Sequence, residues 1–261
     1  MADKLRVALH KFSSCDGCQL AFLNLGEALI ELADAVELVH FAEAGPLAED
    51  EDVDLAFVEG SVSTAADEAR IRAIRTHSRV LVATGVCATY GGIQALRNGA
   101  DVGAWTRAVY GEGAALDVLP HSSPMARYVK IDHELWGCPI NGEQVLAVVK
   151  AAKLGVAPRT ITDKVCGECK RRGFTCVLVS RGTPCMGPVT RDGCGALCPS
   201  LGRDCYGCFG PADTLNTDSL SAWFEKLGLP PRAVVQRYYA INSQAPAFRA
   251  AADKASGDMD G

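Results

Sequence analysis

The twelve cysteines are the residues of this 261-residue chain best suited to chemistry. Eight of them lie in the 43-residue window from Cys166 to Cys208, and the other four are spread over the first 138 residues. Cysteine makes up about 5% of the chain, less than in a small disulfide scaffold. The chain also begins without a secretion signal. We therefore expect a cytoplasmic protein whose thiols stay reduced, and metal binding is the leading explanation for them.

The four cysteines of the first half each follow a predicted strand. Cys15 and Cys18 form a Cys-x-x-Cys pair after the first strand, Cys87 follows the fourth, and Cys138 follows the last. The carboxyl ends of parallel strands form the ligand crevice of an open α/β sheet, so these thiols are expected to converge. Four converging thiolates fit tetrahedral zinc or an iron–sulfur cube. A Cys-x-x-Cys pair alone also fits a redox disulfide, and a lone cysteine is often a small buried hydrophobe.

A flavin or dinucleotide would bind at the same edge of such a sheet. The sequence has neither a G-x-G-x-x-G turn nor a P-loop, which favours a cluster in the place of the flavin.

The remaining eight cysteines divide into two sets of four. They are Cys166, Cys169, Cys176 and Cys185, followed by Cys194, Cys198, Cys205 and Cys208. Three sets of four suit three Cys-ligated clusters, although zinc ribbons also use Cys-x-x-Cys pairs. The spacing of a bacterial two-cluster ferredoxin is absent, so exchange of ligands between the two sets stays open. Either metal would supply folding energy that this segment, with few large aliphatic side chains, lacks.

Alternating strands and helices must position the first four cysteines. We predict strands at Leu5–Leu9, Val36–Phe41, Val53–Val58, Arg79–Thr84 and Tyr128–Ile131. Helices are predicted at 19–33, 65–77 and 142–154, with a short one around Trp105. Near-continuous apolar strands alternating with helices indicate a parallel sheet covered on both faces, and a flavodoxin-like sheet is the natural candidate.

The chain is predicted to have three parts. A flavodoxin-like domain covers residues 1–157, a small cysteine-rich domain 158–215, and a C-terminal helical segment with a tail 216–261. The C-terminal helices are predicted at Leu220–Leu227 and Pro231–Ala240, and the tail is expected to be loose from Ala255 onward.

Charge and hydropathy exclude several classes of partner. The net charge is −5, so no basic excess indicates nucleic acid or an anionic membrane surface. No apolar run approaches the length of a membrane span, and the five histidines show no ligand spacing. Glu59 ends a predicted strand beside the crevice, where it is either a functional carboxylate or one bonded to solvent or backbone.

Several motifs together resemble the small subunit of nickel–iron hydrogenases. These are Ser14-Cys15-Asp16-Gly17-Cys18-Gln19, Val58-Glu59-Gly60-Ser61, Gly85-Val86-Cys87-Ala88-Thr89-Tyr90-Gly91-Gly92 and Gly137-Cys138-Pro139. The segments Pro184–Cys194 and Cys205–Gly210 resemble the cluster domain of the soluble, NAD(P)-linked branch, the sulfhydrogenase delta subunits. The small subunit of respiratory complex I shares single motifs but lacks the second cysteine domain.

The resemblance implies three 4Fe–4S clusters. The proximal cluster would be held by Cys15, Cys18, Cys87 and Cys138, the medial by Cys194, Cys198, Cys205 and Cys208, and the distal by Cys166, Cys169, Cys176 and Cys185. Membrane-bound relatives have a histidine where Cys166 stands and a three-iron medial cluster where Cys198 is missing. Both positions are cysteine here, so all three clusters are expected to be cubes and residues 158–215 a two-cluster iron–sulfur domain.

The resemblance further implies an electron-transfer subunit of a cytoplasmic hydrogenase, inactive in isolation. The nickel–iron site would lie in a large subunit, and FAD and NAD(P) would bind a diaphorase subunit, with a further iron–sulfur subunit as an option. Glu59 would be a candidate for proton handling or cluster tuning. The alternatives are the small iron–sulfur subunit of another oxidoreductase related to complex I, and a zinc-ribbon interaction protein.

Overall fold

The computed structural model describes residues 4–48, 51–160 and 162–257. The chain divides into two compact units. The first contains the described residues up to Leu135 together with Gly142–Arg159, and the second contains Trp136–Asn141 and the described residues from Thr160 onward.

A five-stranded parallel sheet forms the centre of the first unit. Its strands are β1 (Leu5–Lys11), β2 (Val36–Phe41), β3 (Val53–Glu59), β4 (Ser78–Thr84) and β5 (His133–Leu135). They are arranged in the order β2-β1-β3-β4-β5, and every pairing is parallel. This is the strand order of flavodoxin-like folds, so the predicted fold class is confirmed.

Central strand β3 is buried on both faces. Leu55, Ala56, Phe57 and Val58 are each at most 2% exposed. A strand covered on both sides buries every residue rather than alternate ones, which explains its continuous apolar sequence.

Six α-helices accompany the sheet in the described part of this unit. They are α1 (Gly17–Leu23), α2 (Ala28–Ala35), α3 (Ala65–Thr76), α4 (Gly85–Tyr90), α5 (Val102–Tyr110) and α6 (Gly142–Lys153). The single helix predicted over 19–33 is in fact divided between α1 and α2, because Gly26 has a left-handed φ of 61° that a continuing helix does not allow. Thr64 and Asp67 form a capping box at the start of α3.

The two faces of the sheet are packed by different helices. Ile71 and Ile74 of α3 join a buried cluster that includes Ala56 and Val58. Phe57 points to the opposite face, because side chains alternate along a strand. There Phe22 of α1 packs edge-on against it, with ring centroids 4.9 Å apart.

The strand predicted at Tyr128–Ile131 is wrong, since β5 lies at His133–Leu135. The backbone N–H groups of Tyr128 and Val129 donate to Met125 instead of to a neighbouring strand. The apolar side chains of this run pack partly buried against the core cluster. The run is therefore apolar because it covers the core as a loop.

Short helices and loops make up the cysteine-rich part of the second unit, and three longer helices follow. The short helices are α7 (Val165–Arg171), α8 (Val177–Ser180) and α9 (Leu197–Ser200). The longer ones are α10 (Thr217–Lys226), α11 (Pro231–Asn242) and α12 (Pro246–Gly257). None of the described helices is long and apolar enough to cross a membrane.

Helix α12 contradicts the loose tail predicted from Ala255. Its last turn contains Ala255, which is buried, and the alanines of the helix let it pack closely. Residues 258–261 of the predicted tail lie outside the described residues.

Candidate metal centres

All twelve cysteines lie in the described part of the chain, and none of them forms a disulfide. Those predicted to form the proximal set are found where strands end. Cys15 lies in the turn after β1, Cys18 lies in α1, and Cys87 lies in α4 directly after β4. Cys138 follows β5, but it belongs to the Trp136–Asn141 segment of the second unit. The first unit therefore supplies three of the four predicted proximal ligands.

Gln94 links Cys87 to the turn after β1. The Cys87 thiol donates to the Gln94 Oε1 at 3.3 Å, and the Gln94 Nε2 donates to the Ser13 carbonyl at 2.8 Å. Ser13 comes two residues before Cys15. Gln94 is not among the predicted site residues, since the sequence marks it by little more than its position shortly after the Gly91-Gly92 pair.

Gly92 provides the space that the Cys87 sulfur occupies. A Cβ atom at Gly92 would lie 2.5 Å from the Cys87 Sγ, and the residue has a left-handed φ of 58°. Any side chain at this position would therefore displace the thiol and strain the backbone.

The Glu59 carboxylate ends β3 and is 3% exposed. Its Oε1 accepts the backbone N–H of Cys18 and its Oε2 accepts that of Gln19, each at 3.1 Å. Burial raises the pKa of Glu59, against the opposing effect of these two hydrogen bonds. Its described contacts thus match the backbone-bonded alternative, and through them Glu59 orients the helix that carries Cys18.

The predicted distal set forms one neighbourhood in the second unit. Burial, and then the thiols of Cys185, Cys169 and Cys176, raise the pKa of Cys166 to about 11. A Cβ atom at Gly187 would lie 3.4 Å from the Cys185 Sγ and 3.5 Å from the Cys166 Sγ. Two of these sulfur atoms therefore flank one glycine.

The predicted medial set forms a second neighbourhood. Burial, and then the thiols of Cys194, Cys138 and Cys198, raise the pKa of Cys208 to about 12. Burial also raises the pKa of Cys194, and the N–H groups of Leu197 and Ala196 act against this rise.

Cys205 lies where the two neighbourhoods meet. Burial raises the pKa of its thiol well above the ordinary value, and Cys185 and Cys208 both add to the rise. Its backbone N–H donates to the Cys185 Sγ at 3.2 Å, and the Gly207 N–H donates to the Cys205 Sγ at 3.4 Å. The geometry thus leaves exchange of ligands between the two sets open.

These donor sets fit iron–sulfur clusters. Cysteine thiolates are the usual ligands of such clusters, and N–H groups directed at sulfur are a recognised means of tuning them. Among the described residues, no three His, Cys, Asp or Glu side chains are arranged to hold one metal ion. Four thiolates around a four-iron cube bind four different irons, so they stand farther apart than the ligands of a single ion.

The chain is similar to known proteins over most of its length. Residues 15–152 match the family described as NADH ubiquinone oxidoreductase, 20 Kd subunit. Sulfhydrogenase 2 subunit delta of Pyrococcus furiosus is 36% identical over 209 residues, which cover 80% of this chain and 87% of that protein. A chain of the F420-non-reducing hydrogenase vhu of Methanococcus voltae is 31% identical over 242 residues, covering 82% of this chain and 84% of that one.

A solved structure shows the same relationship. The chain aligns with one chain of an NAD+-reducing NiFe hydrogenase in the H2-reduced state with a TM-score of 0.55 and 27% identity. The alignment covers 60% of this chain and 96% of that chain.

Proposed function

Because the chain belongs to the family of the NADH ubiquinone oxidoreductase 20 Kd subunit and is a small subunit of the nickel–iron hydrogenase type, we propose that it conducts electrons. The path would run between the nickel–iron site of a large subunit and a flavin subunit that reacts with NAD(P). The chain would be inactive by itself, since it supplies the path and its partners supply the reacting centres.

The observation that carries this proposal is the order of the thiols in the second unit. Cys138, the proposed proximal ligand, neighbours the proposed medial ligand Cys208. The loop of another proposed medial ligand, Cys194, is bonded through the N–H groups of Gly195 and Ala196 to Glu168, which directly precedes the proposed distal ligand Cys169. This sequence of neighbours supports a path from a proximal through a medial to a distal centre.

We assign three 4Fe–4S clusters to the three sets. The proximal set is Cys15, Cys18, Cys87 and Cys138, the medial set is Cys194, Cys198, Cys205 and Cys208, and the distal set is Cys166, Cys169, Cys176 and Cys185. When bound, such clusters supply one-electron oxidation and reduction.

The contribution of this chain is to bind and orient. Cysteine binds iron as the thiolate, so each set releases protons when it is filled with metal. Glu59 and Gln94 orient the elements that carry Cys18 and Cys87. The N–H groups of Cys205 and Gly207 stabilise negative charge on sulfur.

The electron acceptor is proposed by analogy with the relatives. One solved relative is named NAD+-reducing, which supports a diaphorase subunit that carries FAD and binds NAD(P), with a further iron–sulfur subunit as an option. We assign the complex to the cytoplasm, since twelve cysteines without a disulfide suit a reducing compartment. The second candidate, an iron–sulfur subunit of another oxidoreductase related to complex I, is favoured by the name of the matched family.

The native complex tests this proposal. We expect it to be brown and to reduce dyes and NAD(P) with hydrogen, and we expect this chain within it to hold about twelve irons and as many acid-labile sulfides, in addition to the irons of its partners. A content of about three zinc ions without labile sulfide would identify a zinc protein instead. Clusters without nickel in the complex and without hydrogen uptake would favour the second candidate.

A further inference from the structure

Glu168 joins the two cysteine neighbourhoods of the second unit. It stands in α7 between Cys166 and Cys169. Its Oε1 accepts the backbone N–H of Gly195 at 3.0 Å. Its Oε2 accepts the N–H of Ala196 at 3.0 Å and that of Gly193 at 3.4 Å. A single carboxylate from the proposed distal helix therefore holds three amides of the loop that carries Cys194.

The backbone of that loop is built to receive an anion. Gly193, Gly195 and Ala196 have φ values of 118°, 69° and 52°. Positive φ is rare for alanine, and this alanine is completely buried. Successive residues in such conformations turn their N–H groups toward one point and form an anion-binding nest. Here the anion is the Glu168 side chain.

The charges around Glu168 are partly paired with one another. Arg171 makes ion pairs with Asp163 at 2.6 Å and with Asp192 at 3.1 Å. Arg172 lies beside the same loop, since a Cβ atom at Gly195 would be 3.2 Å from its Nη2. The three hydrogen bonds of Glu168 that we describe go to uncharged amides, so its negative charge is held at a fixed place in the loop.

We infer that Glu168 is a positioning residue that fixes the Cys194 loop to the Cys166–Cys169 helix and places one negative charge between the medial and distal clusters. This inference rests on the proposed cluster assignment. A cluster gains negative charge when it is reduced, so a nearby fixed carboxylate disfavours the reduced form. Because Glu168 adjoins ligands of both sets, it lowers both reduction potentials together.

The test is a redox titration of the intact complex, monitored by electron paramagnetic resonance. Glu168→Gln keeps the size of the side chain and removes its charge. We expect the medial and distal clusters both to become easier to reduce, by roughly tenfold in the reduced-to-oxidised ratio at a fixed potential. For a one-electron couple this is about 59 mV. The proximal cluster should shift much less.

Two further variants separate charge from side-chain position. Glu168→Asp keeps the charge, so both potentials should stay close to those of the wild type. Glu225→Gln removes the same charge from an exposed position of α10, so no cluster should shift.

Unchanged potentials in Glu168→Gln, or a shift of only one of the two clusters, would overturn the inference. If Glu168→Gln does not retain these clusters, its potentials cannot be measured, and the iron content of Glu168→Asp then tests whether the negative charge is required. Retention of both clusters there supports the role of the charge, and their loss overturns it. A wild-type complex without labile sulfide would overturn the proposed function itself, whereas a wild type with all its irons and an unshifted variant overturns only the role of Glu168.

Discussion

At the scale of single residues, Glu59 connects the central strand to the helix that carries Cys18. Its two carboxylate oxygens accept two buried N–H groups, and a glutamine has only one oxygen to offer. We expect Glu59→Gln to destabilise the chain by about 1–3 kcal/mol, the cost of one unpaired buried donor. The complex should still assemble with its clusters, and hydrogen-dependent reduction should slow or change its pH profile.

Thermal unfolding and pH–rate profiles of the complex measure these effects. Glu37→Gln, at an exposed position of β2, makes the same substitution as a control. Rates, pH dependence and proximal potential equal to those of the wild type would leave Glu59 as a purely structural carboxylate.

At Gly92, a single added atom is expected to prevent binding of the proximal cluster. The Cβ atom of Gly92→Ala would fall 2.5 Å from the Cys87 Sγ, so we expect loss of the proximal cluster, about four of about twelve irons. Gly99→Ala is the matched control, because a Cβ atom there meets nothing within 4 Å. Full iron content in Gly92→Ala would show that Cys87 is not a ligand or that the loop can move.

At the scale of elements, the C-terminal helices support the loop that carries Cys205 and Cys208. The Asn242 Nδ2 of α11 donates to the Gly207 carbonyl at 2.8 Å, and Arg237 forms an ion pair with Asp204. Asn242→Leu removes one of the two hydrogen bonds that this carbonyl accepts, the other coming from the Gly210 N–H at 2.9 Å, which costs about 0.5–1.5 kcal/mol. We expect the medial cluster to be lost faster than the other two.

Iron release followed over time under a chelator measures that loss. Gln236→Leu, at an exposed position of the same helix, should release iron at the wild-type rate. Equal rates for the two variants would show that α11 does not support the medial loop.

The grouping of ligands is also a property of these elements. We predict that Cys185 shares a cluster with Cys166, Cys169 and Cys176, even though the Cys205 N–H donates to the Cys185 sulfur. A refined structure of the cluster-loaded protein checks this directly. Exchange of Cys185 and Cys208 between clusters would show the assignment wrong.

At the scale of the whole molecule, stability should depend on pH through His10. This side chain is 4% exposed and stacks on His40 with ring centroids 4.3 Å apart. Burial, and then the charges of His40 and Arg70, lower the pKa of His10 to about 3. Burial lowers the pKa of His133 as well.

The direction of this pH dependence follows from the difference in proton binding between the folded and the unfolded chain. The unfolded chain binds a proton at His10 below about pH 6.5, and the folded chain does not until about pH 3. The contribution of neutral, buried His10 to the free energy of unfolding is therefore fully present above pH 6.5. It falls with decreasing pH, by up to about 1.4 kcal/mol per pH unit, until the folded chain also binds the proton.

Unfolding midpoints at neutral and mildly acidic pH test this dependence. In His10→Leu the difference between the two midpoints should narrow, whereas in the control His121→Gln, which changes an exposed side chain, it should not. An unchanged difference in His10→Leu would contradict the assignment.

Local patterns of the sequence were sufficient for most of the first unit. An apolar run such as Val53–Val58 identifies a buried strand, and Thr64 with Asp67 marks a helix start within four residues. The position of four cysteines just after strand ends indicated candidate ligands, because the carboxyl ends of parallel strands share one edge of the sheet. The run at Tyr128–Ile131 failed because a loop that covers a core is as apolar as a strand.

What the sequence by itself determined is therefore the local structure, which depends on residues close together in the chain, and the inventory of candidate ligands, which are recognised by residue type. Only the tertiary structure decided that Gln94 bonds to Ser13 and that Glu59 accepts N–H groups of α1. It also decided that Glu168 accepts hydrogen bonds from backbone N–H groups 25 to 28 residues away. These bonds join distant segments through ordinary polar side chains. The physical reason is that a carboxylate or an amide has many equivalent partners in a sequence, and only the folded backbone brings one set of N–H groups within about 3 Å of it.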